Sequence, residues 1–276
     1  MNLRLLNTNL QLRRLSLMLV LVAAQLGLLA IVASSADATA ARWYLRNSNS
    51  GGYSDIAFNY GDWSATMTPI AGDWDTNNTD TPGMFDIAGG SPANWHLRNF
   101  NSAGPANIFY EYGLASGKPV VRHDGCWEDP QPGVYKDGAW YLRQNDGTTE
   151  VKYLGSSAYI PVVGSIGSRY SCIDALVAFN PSSGHWLVKW GTDTWSFYYG
   201  SPGDIPLIGD WDGNLNFRPG IYRPSTSQFH LANSISPPVS TSTIFSYGNP
   251  GAGWKPVVGD WNGDLQDTIG LVAPAP

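Results

Sequence analysis

The sequence predicts an all-β fold, a five-bladed β-propeller of four-stranded blades. Three observations predict it. The first is composition: 276 residues include 31 Gly, 19 Pro, 12 Trp and 14 Tyr, against three Glu at positions 111, 128 and 150. Such a chain is poor in the residues that favour helices and rich in those that favour short strands and tight turns. The second is a fivefold internal repeat. The third is that each repeat contains four strand-like elements within roughly 42–50 residues, the size of a propeller blade.

The repeat is read from its parts. One element is Trp43-Tyr44-Leu45-Arg46, Trp95-His96-Leu97-Arg98 and Trp140-Tyr141-Leu142-Arg143, weakening to Trp186-Leu187-Val188-Lys189 and Phe229-His230-Leu231-Ala232. A second ends in Phe58-Asn59-Tyr60-Gly61, Tyr110-Glu111-Tyr112-Gly113, Tyr153-Leu154-Gly155, Phe197-Tyr198-Tyr199-Gly200 and Phe245-Ser246-Tyr247-Gly248. A third starts at Pro69, Pro119, Pro161, Pro206 and Pro256, each followed by two apolar residues. A fourth starts 13 residues after each of those prolines, as in Pro82-Gly83-Met84-Phe85 and Pro219-Gly220-Ile221-Tyr222. Each element is short, β-branched or aromatic, and bounded by Gly, Pro, Asn or Asp, which is how strands read. One blade cannot cover its own two faces, so neighbours must stack on it. Trp43, Trp95, Trp140, Trp186, Trp74, Trp211 and Trp261 are therefore expected to fill the gaps between blades.

Charge narrows the partners. Charged residues are 14% of the chain and the net charge is −6. Residues 1–40 carry Arg4, Arg13 and Arg14 against Asp37, which leaves residues 41–276 with 13 basic and 21 acidic residues, a net of −8. An acidic domain without a basic stripe repels a phosphate backbone, which argues against nucleic acid.

Residues 1–40 read as a targeting segment ahead of the propeller at 41–276. Three arginines precede an apolar run from Leu15 to Ala33, followed by Ala38-Thr39-Ala40, an A-x-A cleavage pattern. The run, expected to be a hydrophobic helix, is 19 residues long, about 28 Å as a helix and close to a bilayer core of ~30 Å. Cleavage with secretion, and retention as a membrane anchor at the cell surface, both fit this pattern. In either case residues 41–276 are placed outside the cytoplasm.

Two loops carry a family resemblance. Gly72-Asp73-Trp74-Asp75-Thr76-Asn77-Asn78-Thr79-Asp80-Thr81-Pro82-Gly83 and Gly259-Asp260-Trp261-Asn262-Gly263-Asp264-Leu265-Gln266-Asp267 resemble the calcium loop of FG-GAP and VCBS-type propeller repeats. The surrounding Trp-x-Leu-Arg pattern looks like a bacterial variant of such repeats. The resemblance implies that the acidic loop joins the innermost strand of a blade to the second. The Pro-led strand is then innermost, Pro-Gly-x-Tyr second, Trp-x-Leu-Arg third and Phe-x-Tyr-Gly outermost. Carried over, residues 42–61 supply a third and fourth strand and residues 256–272 a first and second, which implies a ring closed by a two-plus-two strand exchange.

Calcium takes six to eight oxygens, with carboxylates at alternate loop positions around a tight turn. The first loop offers Asp73, Asp75, Asn77 and Asp80 at relative positions 1, 3, 5 and 8, and the fifth offers Asp260, Asn262, Asp264 and Asp267. The fourth has Asp210, Asp212 and Asn214 but Phe217 at position 8. Plain turn capping by Asp and Asn is the alternative. Loops two and three lack the oxygen ladder and hold the two cysteines, Cys126 and Cys172. Their blades are neighbours, and export permits disulfides, so a Cys126–Cys172 bridge is expected, with two free thiols as the alternative.

No catalytic motif emerges. Gly113-Leu114-Ala115-Ser116-Gly117-Lys118-Pro119 is one residue short of a phosphate-binding loop and has Pro where Ser or Thr must hold magnesium. A five-bladed glycoside hydrolase would need carboxylates converging from inner strands, and here those strands bring none before the acidic loops. The expected function is a non-catalytic, calcium-stabilised binding or structural module for a protein partner. A glycan-binding propeller is the alternative, with Trp63, Trp190, Trp195 and Trp254, which lie outside the repeat, as contact residues.

Overall fold

β-branched and aromatic runs bounded by turn residues become twenty strands in the computed structural model, which describes residues 39–122, 130–164, 166 and 174–276; among the described residues there is no helix. The apolar run 15–33, Cys126 and Cys172 lie outside the described residues. β1 (Ala40–Leu45) and β2 (Ile56–Asp62) come first. The next blade is β3 (Met67–Gly72), β4 (Thr81–Asp86), β5 (Asn94–Leu97) and β6 (Ile108–Glu111). The second is β7 (Lys118–Arg122), β8 (Gln131–Lys136), β9 (Ala139–Arg143) and β10 (Thr149–Tyr153). The third is β11 (Ile160–Gly164), β12 (Ala175–Asn180), β13 (His185–Trp190) and β14 (Asp193–Tyr198). The fourth is β15 (Ile205–Gly209), β16 (Arg218–Arg223), β17 (Gln228–Ala232) and β18 (Thr241–Ser246). β19 (Lys255–Gly259) and β20 (Thr268–Pro274) complete the chain's strands.

These strands make five antiparallel four-stranded sheets, so the fold is an all-β five-bladed propeller. Four sheets follow chain order, and the fifth runs β19-β20-β1-β2, with Ala41 opposite Pro274 and Leu45 opposite Gly270. The first strand of each blade touches the first strand of the next through a full circuit, β3, β7, β11, β15, β19 and back to β3. Burial follows position in the blade. Second strands are buried on both faces, third strands alternate, and fourth strands are largely exposed. A second strand has neighbouring blades on both sides; a fourth strand lies at the rim.

The core is divided into five apolar clusters, each shared by adjacent blades; Val134 of β8, for example, packs against Trp95 and Phe85 of the blade before it. The expected Trp residues are all buried: Trp43, Trp95, Trp140 and Trp186 completely, Trp74, Trp211 and Trp261 nearly so. The polar edge of the four completely buried ones is satisfied by one repeated bond. The indole Nε1–H donates to the carbonyl that precedes the glycine ending the fourth strand: Trp43 to Tyr60 at 3.0 Å, Trp95 to Tyr112 at 3.0 Å, Trp140 to Leu154 at 3.0 Å and Trp186 to Tyr199 at 2.8 Å. An aromatic of this size buries on the order of 200 Å², and leaving its N–H unpaired would offset much of that gain.

The tyrosine beside that glycine then reaches the next blade. Tyr60 Oη donates to the His96 carbonyl at 3.0 Å, and Tyr199 Oη to the His230 carbonyl at 2.9 Å. Burial pushes both phenols up to about 12. His96 and His230 thus occupy equal places in the third strand, each giving its backbone oxygen to an inter-blade bond.

Candidate functional site

The acidic loops at one end of the ring share a single fold. The first Asp of each loop spends both carboxylate oxygens on the loop's own backbone. Asp73 accepts from Asn77 and Asn78 N–H at 3.0 and 2.8 Å, and Asp210 from Asn214 and Leu215 at 3.1 and 2.6 Å. Asp260 accepts from Gly263, Asp264 and Leu265 at 2.8, 3.1 and 2.7 Å. This wrapping forces the sixth residue into the left-handed region, with φ of 63° at Asn78, 62° at Leu215 and 68° at Leu265. A leucine there is uncommon and costs conformational energy. The Trp at position 2 needs flat walls beside it: a Cβ on Gly209 or Gly220 would come within 2.5 or 2.9 Å of the Trp211 ring.

The eighth-position carboxylates leave their own loops. Asp80 N–H donates to the Asp260 carbonyl at 2.7 Å, and Asp260 N–H donates back to Asp80 Oδ2 at 2.8 Å. Asp267 and Asp210 repeat the exchange at 2.9 and 2.8 Å. Asn101 Nδ2 then donates to the Asp80 and Trp261 carbonyls, and Asn49 Nδ2 to those of Asp267 and Trp211. Loops four, five and one are therefore stitched together in that order. The arginine of Trp-x-Leu-Arg supports this by folding the loop that carries the asparagine. Arg98 donates to the Ser102, Ala103 and Pro105 carbonyls, and Arg46 to the Ser50, Gly51 and Tyr53 carbonyls and to Asp55. Sequence reasoning missed these residues, although Arg46-Asn47-Ser48-Asn49 and Arg98-Asn99-Phe100-Asn101 repeat the signal.

Each of the three loops presents two Asp and one Asn at positions 1, 3 and 5, so among the described residues no group of three His, Cys, Asp or Glu side chains forms a metal site. In loops one and five the donors are hard oxygens, the kind calcium takes. Loop four differs. Arg218 Nη1 lies 3.0 Å from Asp212 Oδ2, and its Nη2 donates to Asn214 Oδ1 at 3.2 Å. A guanidinium already occupies the donors that a metal would use.

Packing these carboxylates together has an electrostatic cost. Burial first, then Asp80, Asp210 and Asp260, hold the Asp267 carboxyl well above the usual range, against the lowering effect of the Asp210 N–H bond. Asp210 is likewise raised, chiefly by burial. An acid whose folded pKa is raised binds its proton more tightly when folded, so its contribution to stability falls as pH rises from about 4 through the folded value. Asp267→Asn keeps an acceptor for Asp210 N–H and removes the charge. In chelator it should melt above wild type at pH 8 and converge with it near pH 4, with about 2–4 °C for each kcal/mol relieved. Parallel pH–melting curves for the two proteins would contradict this.

A cavity of 560 Å³ follows the ring axis, walled by inner-strand residues such as Pro69, Val120, Val162, Leu207 and Val258. Its lining reaches the loop face, where it includes Asp73, Asp80, Asp174, Asp210, Asp260 and Asp267 together with Leu215 and Leu265. Those leucines are 49% and 57% exposed.

The four tryptophans outside the repeat do not share one surface. Trp63 lies under Lys255 Nζ, 4.9 Å from the ring centroid, and Trp254 stacks on Tyr44 at 5.3 Å. Trp195 packs against the core of the third blade, and Trp190, 41% exposed, ends β13. Glu111 ends β6, and Glu150 on β10 pairs with Lys152 at 3.0 Å. His123 and Glu128 lie outside the described residues.

No family model matches the chain, and no curated protein matches it. Two solved structures are similar to it: BBS1N in complex with ARL6DN soaked with mercury, and the same complex soaked with lead. Each is 10% identical with a TM-score of 0.39; they cover 77% and 78% of this chain. The chain spans 61% and 64% of theirs, about three-fifths of their length.

Proposed function

We propose that the chain is a non-catalytic binding module outside the cytoplasm, stiffened by calcium and directed at a protein partner. Its ring is closed by the exchange of two strands from each end. The observation that carries this reading is the loop face, where loops four, five and one are hydrogen-bonded into one plateau around the cavity mouth and present exposed Leu215 and Leu265. Exposed apolar residues on a rigid, polar-rimmed surface suit a protein interface. The alternative, glycan binding, has fewer free platforms, since Trp63 and Trp254 are covered by Lys255 and Tyr44. The basic, apolar, small-residue order of residues 1–40 supports export.

Purification from membrane and medium fractions tests this reading. The chain is expected there with a partner whose retention is abolished by protease and unaffected by glycosidases. The reverse sensitivity would favour glycan, and recovery only from the cytosol would remove the extracytoplasmic reading.

Calcium would be held by Asp73, Asp75 and Asn77 in loop one and by Asp260, Asn262 and Asp264 in loop five. The ion supplies positive charge where acids crowd. Binding to the folded state alone contributes about 2.7 kcal/mol at a hundredfold excess over Kd, or roughly 5–10 °C in Tm for a domain of this size. Asp75→Asn and Asp264→Asn spare the backbone wrapping and should each reduce that response. Asp212→Asn should not, because Arg218 occupies its loop. Superimposable melting curves in calcium and in chelator would return these residues to plain turn formers.

A further inference from the structure

We propose that the central cavity is the docking site for a basic segment of the protein partner, an apolar anchor flanked by Lys or Arg. This rests on the protein-binding reading above and names the surface and the chemistry it selects. The cavity is apolar along its axis and acidic at one end, and that polarity decides the occupant. An amine or guanidinium pushed down the axis would meet mainly proline, valine and leucine side chains, a costly desolvation. An apolar side chain placed there gives up water at no such cost. Its flanking cations then lie at the mouth, on the side of Asp80, Asp174 and Asp267, which stand apart from the loop positions 1, 3 and 5 assigned to calcium above. The alkyl stems of Lys and Arg can lie on Leu215 and Leu265 while their heads reach those carboxylates.

Two further features agree. Leu215 and Leu265 hold the same place in loops four and five, both in the left-handed region and both exposed at the rim. The wrapping of Asp210 and Asp260 fixes this backbone and holds both apolar side chains out at the rim. The volume, 560 Å³, is in the range that holds a few side chains of a bound segment.

The test uses the full chain in calcium buffer and three fluorescein-labelled nonapeptides read by anisotropy. One alternates Lys with Leu, one replaces each Lys by Glu, and one replaces each Leu by Ser. The Lys–Leu peptide should bind, and its affinity should fall about tenfold or more between low and high salt as charges at the mouth are screened. Both altered peptides should bind at least about tenfold more weakly. Leu215→Ser/Leu265→Ser, which changes exposed side chains only, should weaken the Lys–Leu peptide about tenfold with Tm unchanged. Asp267→Asn, which keeps its hydrogen bond, should reduce the salt dependence. Equal binding of all three peptides, or an unaltered affinity in the double leucine variant, would overturn the site. If the native partner is still retained by the double leucine variant, the protein-binding reading stands and the cavity proposal fails.

Discussion

Removing residues 40–62, which carry β1 and β2, should abolish cooperative folding of all five blades. β1 is the central partner in its sheet, paired on one side with β20 and on the other with β2. Its inward residues Ala41, Trp43 and Leu45 are completely buried, and they pack with Met84 of the neighbouring blade and Val272 of β20. Truncating a buried Trp or Leu each costs about 2–5 kcal/mol. Losing both strands also exposes the edge of β20, whose side chains are buried from Thr268 to Ala273. Together these losses match or exceed the ~5–15 kcal/mol by which a domain is stable. Circular dichroism melts should show no cooperative transition in the deletion protein. A truncated chain that melts as sharply and as high as the full one would refute closure by shared strands.

Gly113→Ala should cost a large share of the fold's stability for a single added methyl. Gly113 ends the second blade-edge element at φ 84°, and a Cβ there would sit 2.2 Å from Val134 Cγ2. Val134 is fully buried on β8 of the next blade, so it has no space to yield. Gly147 provides the control, since its φ is 83° but nothing lies within 4 Å of its added Cβ. Gly147→Ala carries only the backbone cost, about 1–2 kcal/mol. Gly113→Ala adds overpacking of about 1–3 kcal/mol, for about 2–5 kcal/mol in all. Denaturant titrations of both variants give the difference directly. Equal losses would mean that the glycine is kept for its φ alone and that the blade contact is soft.

The same glycine shows how far the sequence can be read. Tyr-Gly recurs at 60–61, 112–113, 199–200 and 247–248, so the end of a fourth strand is visible as a pattern. What the glycine makes room for belongs to another repeat. The blades themselves were legible for a related reason: the 13-residue interval from each inner proline, and the apolar alternation around each Trp, are local and periodic. Burial then follows from position, because a strand between two stacked blades must be apolar on both faces.

The acidic loops were legible as loops and only partly as chemistry. Asp73, Asp210 and Asp260 fold their own turns, an effect confined to a few residues and so written into the local order Gly-Asp-Trp. Asp80 and Asp267 occupy fixed places in that order too, yet their oxygens serve the preceding loop around the ring. Trp63 and Trp254 read as free aromatics until Lys255 and Tyr44 are brought to their faces. By itself the sequence determined the repeat, its strands and the shape of each turn, because those depend on neighbours in the chain. Only the tertiary structure decided which carboxylate serves which loop, which tryptophan is covered and where the acids meet an apolar axis, because those depend on how blades stack across gaps of up to 218 residues.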